Sequence, residues 1–381
     1  MCHHKDVMYR ETFPHFMIKE IFEQPQAVRD TAMTRIDLTT GRVKLEGVHL
    51  TAKDLADIRK IRIAASGTSR HAGIAGRYMI QELAGIPVDV EHASEFEYGN
   101  PITGPDELTI VITQSGETAD TLGALRLAKS RKSHTLAITN VLESTIAREA
   151  DAFIYTNAGP EISIASTKAF DAQLTALFLL AVKLGELRGT LTEQQSKHWI
   201  SELLAMPEKI QHVLGRDPEC SDIAERFYQK EDFLFIARGV HFPIALDGAL
   251  KMKETSYIHA EGYPAGEIKH GPYALIDEKL PVVAIVTRDT NDEASVLRSE
   301  RTLMNCKEVK QHGGHVIAVA TEGDKEIEEF AHDIVYVPPA PELLSPLLEI
   351  VPLQLLAYHV AVRRGVDVDR PRNLVKSVMT E

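Results

Sequence analysis

The stretch that decides the fold is "ELTIVITQSGETADTLGALRLAKSRKSHTLAITN", residues 107–140. It begins with a run of apolar β-forming residues, passes through a polar loop at residues 113–118, continues with a helical pattern and ends in a second β-rich run. A strand, a helix and a strand in succession indicate two parallel strands joined by a crossover helix. Parallel sheets built in this way are covered by helices on both faces.

The same pattern occurs again elsewhere in the chain. "KIRIAASGTSRHAGIAGRYMIQELAG" (60–85) indicates a strand, a glycine turn and an amphipathic helix, and "DFLFIARGVHFPIALDGALKMKE" (232–254) repeats that opening. "LPVVAIVTRDTNDEASVLRSERTL" (280–303) matches the first stretch. Because the spacing of about 170 residues is too long for a solenoid repeat, the sequence predicts two tandem copies of one α/β domain. We expect each copy to be a doubly wound, flavodoxin-like parallel sheet flanked by helices.

These repeats divide the chain into five segments. We assign residues 1–50 to an N-terminal segment with a helix, 51–190 to the first domain, 191–220 to linker helices, 221–365 to the second domain and 366–381 to a C-terminal tail. The linker contains Trp199, the single tryptophan of the chain, which we expect to pack against a domain.

Composition restricts the class of protein. The 381 residues are 44% hydrophobic and 25% charged, as is ordinary for a globular protein. A formal charge of −13 argues against a nucleic-acid or membrane-surface partner, because either would need a basic face. The longest apolar run, "LTALFLLAVKLG" (174–185), is shorter than the ~20 residues that span a membrane. We therefore expect neither a nucleic acid nor a membrane as a partner.

Cysteine usage indicates a reducing compartment. Cys2, Cys220 and Cys306 show no paired spacing, and the N-terminus has no apolar signal-peptide core, so we expect a cytoplasmic protein. The triplet Cys2-His3-His4 could bind a metal or could be an incidental start of the chain. We expect no metal site there and no cofactor elsewhere.

The polar loop differs between the two copies. The first copy has Thr-Gln-Ser-Gly-Glu-Thr at 113–118, whereas the second has Thr-Arg-Asp-Thr-Asn-Asp at 287–292. The first loop presents hydroxyls and backbone N–H groups at a helix N-terminus, which carries about half a positive charge and suits a phosphate. The two carboxylates of the second loop would repel an anion. Since the chain has no Walker-type or dinucleotide-binding glycine motif, a monophosphate on a small molecule is the better fit.

A purely structural interpretation of these hydroxyls remains open. Ser115 and Thr118 could merely cap the helix, which such residues do routinely. Thr68 and Ser69, in "SGTSRHAG", also stand between a strand and a helix and could contact the same ligand, because ligands of parallel sheets lie at the carboxyl ends of strands. Ser166 precedes an apolar helix and could likewise be a plain cap.

The second copy supplies residues suited to proton transfer. Lys251 and Glu254 lie at i and i+3 on one predicted helix face. They could form a surface ion pair, as could Asp247 and Lys251. The rest of the helix is rich in Ala, Leu, Met and Gly and is expected to be packed, so the charged groups would then need a purpose. Glu254 could act as a general acid or base, and His270 in the loop "KHGP" could exchange a proton or simply be solvated.

Taken together, these motifs resemble the sugar isomerase (SIS) family, and within it the isomerase half of the glutamine–fructose-6-phosphate aminotransferases (glucosamine-6-phosphate synthases). The resemblance extends over nearly all of residues 16–381, in order and with similar spacing. The matching stretches are "KEIFEQP", "SGTSRHAG", "ITQSGETADTL", "NAGPEISIASTKAF", "ALDGALKMKETSYIHAEGYPAGEIKHGP" and "DVDRPRNLVKSVMTE".

The resemblance implies a set of substrate-binding residues in this chain. A sugar phosphate would be held by the first polar loop, with the loop after the first strand nearby, and the sugar would be lined by residues of two later segments. The phosphate-binding residues are Thr113, Gln114, Ser115 and Thr118, with Thr68 and Ser69; the sugar-lining residues are Ile164, Ser166 and Val375. Val375 replaces a usual alanine, which bears on the exact substrate.

The resemblance also implies four catalytic residues. Glu254 would move the proton between C1 and C2 of the sugar, with Lys251 supporting it. His270 would assist ring opening from the neighbouring subunit of a homodimer. Lys376 would form or stabilise the carbonyl adduct, and the mobile tail that carries it would close over the substrate and exclude water.

The implied function is an aldose–ketose isomerase for hexose 6-phosphates with amination or deamination at C2. It would interconvert fructose 6-phosphate plus ammonia and glucosamine 6-phosphate. The family's synthases carry a glutaminase domain with an N-terminal cysteine nucleophile, whereas here about fifteen residues precede the match and Cys2 is followed by two histidines, so we expect Cys2 not to be that nucleophile. The chain could be part of a synthase or a free-standing deaminase; the alternative is a non-catalytic regulatory protein that only binds a sugar phosphate.

Overall fold

The computed structural model describes residues 13–37, 40–45, 47–48 and 51–378. The triplet Cys2-His3-His4 lies outside these residues. The chain divides into two compact units. The N-terminal unit contains residues 26–161, 168–205 and 377–378 of the described chain, and the C-terminal unit contains residues 13–25, 162–167 and 206–376.

Within the described ranges, strands and helices alternate along most of the chain, as the sequence predicts. The strands are β1 (Ile36–Asp37), β2 (Arg42–Val43), β3 (Lys60–Ala65), β4 (Val88–His92), β5 (Glu107–Thr113), β6 (His134–Thr139), β7 (Ala152–Tyr155), β8 (Asp232–Ala237), β9 (His259–Pro264), β10 (Pro281–Ile285), β11 (His315–Thr321) and β12 (Asp333–Val337). The helices are α1 (Phe16–Phe22), α2 (Gln24–Met33), α3 (Ala52–Asp57), α4 (Gly67–Ala84), α5 (Ala93–Tyr98), α6 (Ala119–Ser130), α7 (Thr145–Glu149), α8 (Lys168–Arg188), α9 (Glu193–Leu214), α10 (Asp217–Phe227), α11 (Phe242–Ser256), α12 (Glu293–Gln311) and α13 (Pro346–Arg363). Short 3-10 turns lie at Gly239–His241, Glu267–His270, Pro272–Leu275 and Glu326–Glu329.

Each unit is built around one five-stranded parallel sheet. The N-terminal sheet has the order β4-β3-β5-β6-β7, and the C-terminal sheet has the order β9-β8-β10-β11-β12. Numbered by occurrence within each unit, both orders are 2-1-3-4-5, the flavodoxin-like arrangement of a doubly wound sheet. The prediction of two similar α/β domains with parallel sheets is confirmed.

The inner strands of each sheet are buried because their sequences are apolar on both faces. In β5 every residue after Glu107 is buried, and all five residues of β10 are buried. Such runs cannot leave one face in water, so helices must cover both. The alternation of strand and helix, rather than any single residue, therefore determines the fold class.

The segment between the two sheets is helical, as expected. It forms α9 and α10, and α10 extends seven residues beyond the predicted linker end at residue 220. Trp199 packs edge-on against Phe178 of α8, with ring centroids 5.7 Å apart. Among the residues that the structure describes, no helix is both long and apolar enough to cross a membrane.

Candidate active site

The polar loop of the first copy lies where doubly wound sheets bind ligands. In the N-terminal sheet the strand order reverses between the neighbouring strands β3 and β5. Ligands of such sheets bind outside the carboxyl ends of the strands at this reversal. Residues 113–118 follow β5 and residues 66–69 follow β3, so the two segments predicted to hold phosphate meet at the same edge of the sheet.

The hydroxyls of this loop are engaged with one another rather than with the helix. Thr118 is the N-cap residue of α6, yet its side chain makes no capping hydrogen bond. Its Oγ1 instead lies 2.9 Å from Oγ1 of Thr113. Ser115 Oγ accepts a hydrogen bond from Glu117 N at 3.2 Å and lies 3.0 Å from Oγ of Ser377. Helix capping therefore does not account for Thr118.

A glycine gives the loop its tight turn. Gly116 has φ +71°, and a Cβ atom there would overlap Oγ and Cβ of Ser144 and lie 3.0 Å from Oγ1 of Thr139. Its carbonyl accepts from Ile146 N at 3.1 Å. The loop carries one carboxylate, Glu117, whose Oε1 accepts from Thr145 N at 2.8 Å at the start of α7. The negative charge of the loop is thereby held by a second helix N-terminus.

A buried amide orients one hydroxyl of the neighbouring loop. Gln173, on α8, is 2% exposed, and its Nε2 donates to Ser69 Oγ at 3.0 Å. Because Ser69 accepts this bond, its own O–H hydrogen remains available to a ligand. Thr68, beside it, is buried.

These pairings leave the N-terminal unit with free hydroxyl donors at one edge of its sheet. When two hydroxyls share one hydrogen bond, one of the two hydrogens is used and the other can be donated elsewhere. The pairs Thr113–Thr118 and Ser115–Ser377 each leave one donor, and Ser69 leaves a third. Donors without bulk at a helix N-terminus are suited to a phosphate. Gln173 and Ser377 are additions to the residues predicted from sequence.

In the C-terminal unit, α11 carries the predicted pair of charged residues. Lys251 Nζ lies 2.7 Å from Glu254 Oε2, and the two side chains are 1% and 22% exposed. Asp247, one turn earlier, is also buried. The interpretation as surface pairs is therefore wrong, because the face of α11 that carries Asp247 and Lys251 is packed inside the unit. A buried ammonium against a partly exposed carboxylate is an arrangement that fixes the carboxylate in place.

His270 lies apart from that pair. It is exposed at the end of the turn Glu267–His270 and lines a cavity of about 460 Å³ together with Glu261 and Tyr263. Within the part of the C-terminal unit that the structure describes, no hydrogen bond joins His270 to Glu254. The structure thus does not bring these two predicted residues together within one chain.

The tail lysine is held beside the segment 162–167. Lys376 Nζ donates to the carbonyl of Ser163 at 2.7 Å, next to the predicted residues Ile164 and Ser166. Ile164 N donates to the carbonyl of Asp369 at 3.0 Å, so the tail and this segment are hydrogen-bonded at two points. Val375, just before the lysine, is exposed.

Two buried carboxylates hold the tail and the segment 162–167 in place. Neither of them was identified from the sequence. Glu20, on α1, is 2% exposed and accepts from the backbone N–H groups of Ile162 and Ser163. Asp369 accepts from Phe16 N and Met17 N at 3.0 and 2.8 Å, which satisfies the first donors of α1. Glu20 belongs to the quoted motif "KEIFEQP", but no spacing rule indicates its partner 142 residues away.

The tail is also fixed near the end of α11. Tyr257 directly follows that helix; its hydroxyl accepts from Arg372 N at 2.8 Å, and the Arg372 guanidinium lies 4.2 Å from the ring centroid. Among the described residues, no group of three or more His, Cys, Asp and Glu side chains is arranged to hold a metal ion.

Comparison with known proteins adds the family. A family model described as the SIS domain matches residues 54–183 and 226–364. Glutamine–fructose-6-phosphate aminotransferase [isomerizing] of Chlorobaculum tepidum is 51% identical over 369 residues, which are 97% of this chain and 59% of that protein. The corresponding protein of Caldanaerobacter subterraneus is 47% identical over the same share of each chain. This chain thus spans about three fifths of the length of the curated relatives it matches.

Solved structures agree with this match. The C-terminal domain of glucosamine-fructose-6-phosphate aminotransferase from Francisella tularensis superposes with a TM-score of 0.87 at 39% identity, over 95% of this chain and 99% of that one. Glucosamine-6-phosphate deaminase from Thermotoga maritima has a TM-score of 0.69 at 24% identity, over 95% of this chain and 99% of that one, a likeness of fold alone. The two SIS matches coincide with the two parallel sheets, and the chain belongs to the SIS domain family.

Proposed function

We propose that this chain is an aldose–ketose isomerase for hexose 6-phosphates that adds or releases ammonia at C2, interconverting fructose 6-phosphate plus ammonia and glucosamine 6-phosphate. The observation that carries the proposal is the buried Lys251 held 2.7 Å from the partly exposed Glu254 in a chain of the SIS domain family. A protein that only bound a phosphate would need the hydroxyl loop alone. The printed names of the 51% and 39% identical relatives support the same substrate class.

The phosphate of the sugar is assigned to the hydroxyl donors of the N-terminal unit. Thr113, Ser115, Thr118 and Ser69 would donate to its oxygens, and the N-terminus of α6 would add its partial positive charge. Thr68 and Gln114 belong to the same two loops. The hydroxyl donors carry no charge. They should therefore hold the phosphate of the product less tightly than lysine or arginine side chains would, which lets the product leave.

The proton transfer is assigned to Glu254. In the direction of synthesis, ammonia adds to the C2 carbonyl of fructose 6-phosphate and water leaves, which gives an imine at C2. The carboxylate then takes a proton from C1, the electron pair of that C–H bond forms the C1–C2 double bond, and the C2–N π pair moves to nitrogen, which takes a proton from solvent; the product is an enaminol. Return of the proton to C2, as O1 forms the C1=O bond and releases its own proton to solvent, gives the aldehyde of glucosamine 6-phosphate. Lys251 keeps the carboxylate in position during both transfers.

The remaining predicted residues have roles at the sugar itself. Lys376 would polarise or condense with the open-chain carbonyl, and its present contact with the Ser163 carbonyl keeps it beside Ile164 and Ser166. Val375, as its chain neighbour, would contact the sugar. His270 would move a proton during ring opening; its exposure suits a role on the substrate of a second copy of this chain.

Exchange of the C1 proton of fructose 6-phosphate with solvent tests the catalytic assignment. Glu254→Gln should reduce the exchange rate by about 10³-fold or more, because an amide cannot accept the proton, while inorganic phosphate still binds. Glu300→Gln, the same change at an exposed position of α12, is the matched control and should exchange at the wild-type rate. Undiminished exchange in Glu254→Gln would refute the role of this carboxylate.

Product analysis tests the reaction. The purified chain is incubated with glucosamine 6-phosphate alone, and with fructose 6-phosphate plus either ammonium or glutamine. We expect interconversion with ammonium; product from glutamine alone would show that the chain also releases ammonia from glutamine. Phosphate binding without any exchange or product would contradict the proposed activity and favour a regulatory sugar-phosphate-binding protein.

A further inference from the structure

The C-terminal unit contains the structural counterpart of the phosphate loop. Residues 287–292 follow the third strand of the C-terminal sheet, β10, as residues 113–118 follow β5. Asp292 is the N-cap residue of α12 and Thr118 that of α6, so both loops lead into a helix in the same way. The two sheets have the same strand order, which puts both loops at the point where the order reverses.

The correspondence extends to the loop after the first strand of each sheet. Ser69 is the fourth residue after the end of β3, and His241 is the fourth after the end of β8. Each contacts a buried side chain of the helix that follows the last strand: Ser69 contacts Gln173 of α8 at 3.0 Å, and His241 Nδ1 contacts Glu349 Oε1 of α13 at 2.6 Å. The scaffold is thus the same in both units, but the chemistry differs.

In the C-terminal unit, the position that corresponds to the predicted phosphate site is occupied by a side-chain carboxylate of the chain itself. Glu342, from the segment between β12 and α13, forms a two-point ion pair with Arg298, with Nε–Oε1 at 2.5 Å and Nη2–Oε2 at 2.7 Å. His241 Nε2 lies 2.9 Å from its Oε1, and Ser295, on the first turn of α12, donates to its Oε2. Arg298 also donates to the carbonyl of Thr287, the first residue of the loop, at 2.9 Å.

The two carboxylates of the loop itself make local hydrogen bonds and do not take part in this cluster. Asp292 Oδ1 accepts from Ala294 N at 2.9 Å and so caps α12, and Asp289 Oδ1 accepts from Asn291 N at 2.9 Å. Both carboxylates are held by backbone N–H groups of their own segment and keep their negative charge, so Glu342 adds to the anionic groups that the sequence already places at this loop. The cluster contains three donors of the kind that bind oxyanions, and the oxyanion they bind is Glu342.

We propose that the second copy retains an anion-binding site whose ligand is the side chain of Glu342, and that removing this carboxylate opens the site to inorganic phosphate or a phosphate monoester. The geometry carries the proposal: an arginine fork, an imidazole and a serine hydroxyl converge on both oxygens of one carboxylate at the strand-order reversal of the sheet. In the wild-type chain this site is occupied from within, by Glu342. The proposal does not depend on the reaction that the first copy supports.

Thermal unfolding of Glu342→Ala in phosphate tests this. The variant leaves Arg298 and His241 without their shared anion, so it should melt below the wild type in chloride buffer. At 50 mM inorganic phosphate, with chloride at matched ionic strength as the reference, a site of about 1 mM affinity should raise its melting temperature by about 4 °C or more beyond the rise of the wild type. Any phosphate effect of the N-terminal unit is common to both proteins and cancels in this difference.

Two further variants decide the interpretation. Glu342→Ala combined with Arg298→Ala should lose the extra phosphate effect, and Glu342→Gln, whose amide still fills the site, should be destabilised without gaining it. If Glu342→Ala does not fold in chloride buffer, its refolding yield is measured in phosphate and in chloride. A larger gain in yield from phosphate than the wild type shows then replaces the shift in melting temperature. An equal phosphate effect in Glu342→Ala and the wild type would overturn the proposal, whether or not the chain proves to be an isomerase.

Discussion

Gly116→Ala perturbs the phosphate loop at the residue that sets its shape. The backbone of Gly116 has φ +71°, where an alanine costs about 1 kcal/mol. The added Cβ would also overlap the side chain of Ser144, which is 2% exposed and accepts from Ala147 N as the N-cap of α7. Overpacking a buried site costs about 1 to 3 kcal/mol, so we expect a total loss of about 3 kcal/mol from the free energy of unfolding.

The matched control separates the two contributions. Gly189 has φ +72°, but a Cβ there meets no atom within 4 Å, so Gly189→Ala should cost only the backbone part of about 1 kcal/mol. Urea unfolding gives the stabilities, and titration with inorganic phosphate gives the affinity of the loop. We expect Gly116→Ala to weaken phosphate binding by 10-fold or more, because the loop must move to relieve the overlap, and Gly189→Ala to leave it unchanged.

A double-mutant cycle completes the test. In Gly116→Ala/Ser144→Gly the overlapping side chain is removed, so the double variant should lose less stability than the sum of the two single variants. If Gly116→Ala cost no more than Gly189→Ala, the close packing of this loop against α7 would not be what holds its shape.

Three further outcomes follow from the contacts described. Gln173→Leu should lower the free energy of unfolding by about 1 kcal/mol, because it removes a buried hydrogen bond. It should also weaken inorganic phosphate binding by about 5-fold, because the Ser69 hydroxyl is no longer oriented; a titration that matches the wild type would contradict this. Burial lowers the pKa of His241, but the charges of Glu349 and the other contacting carboxylate outweigh it and raise the pKa above its ordinary 6.5. The resulting stabilisation is complete below pH 6.5 and is lost as the pH rises through the raised value, so in urea unfolding the wild type should lose stability as the pH rises above 6.5 and His241→Gln should lose clearly less. Mixing inactive Glu254→Gln and His270→Ala chains should restore activity if His270 acts across a dimer; mixtures that remain inactive would argue that each chain uses its own histidine.

The fold was predictable because it depends on patterns rather than on single contacts. Apolar runs such as residues 107–113 and 281–285 can only be strands buried on both faces, and their alternation with amphipathic helices leaves a parallel sheet as the solution. The duplication strengthened the fold prediction, because the pattern of strands and helices in each copy could be checked against the other. Strand order within the sheets then followed from the fold class.

The burial of charged residues was less predictable. The spacing of Lys251 and Glu254 shows that they share a helix face, but it does not show whether that face meets water or the core. The structure buries Lys251 almost completely, and the surface interpretation fails for that reason. The apolar neighbours on the helix were the one signal in the sequence that pointed to burial.

Partners contributed from distant segments could not be predicted at all. Gln173 is one of several polar residues of α8, and its contact with Ser69 joins residues 104 positions apart. Glu342 stands in the run "PPAPELL", where nothing suggests that its carboxylate binds Arg298 44 positions earlier. Comparing the two loops singled out the carboxylates of the second loop but could not show Glu342, because an anion supplied by a remote segment leaves no mark on the loop sequence.

The hydrogen bonds from Phe16 and Met17 to Asp369 have a consequence for biosynthesis. They join residues 353 and 352 positions apart, and they satisfy the first backbone donors of α1. A chain made from its N-terminus can pair strands β3 to β7 of the N-terminal sheet once residue 155 has left the ribosome. Helix α1, although it precedes both sheets in the sequence, lacks this cap until residue 369 has been made. The earliest helix of the described chain is therefore among the last to be capped, and α1 reaches its final hydrogen bonding only after the strands of both sheets have been synthesised.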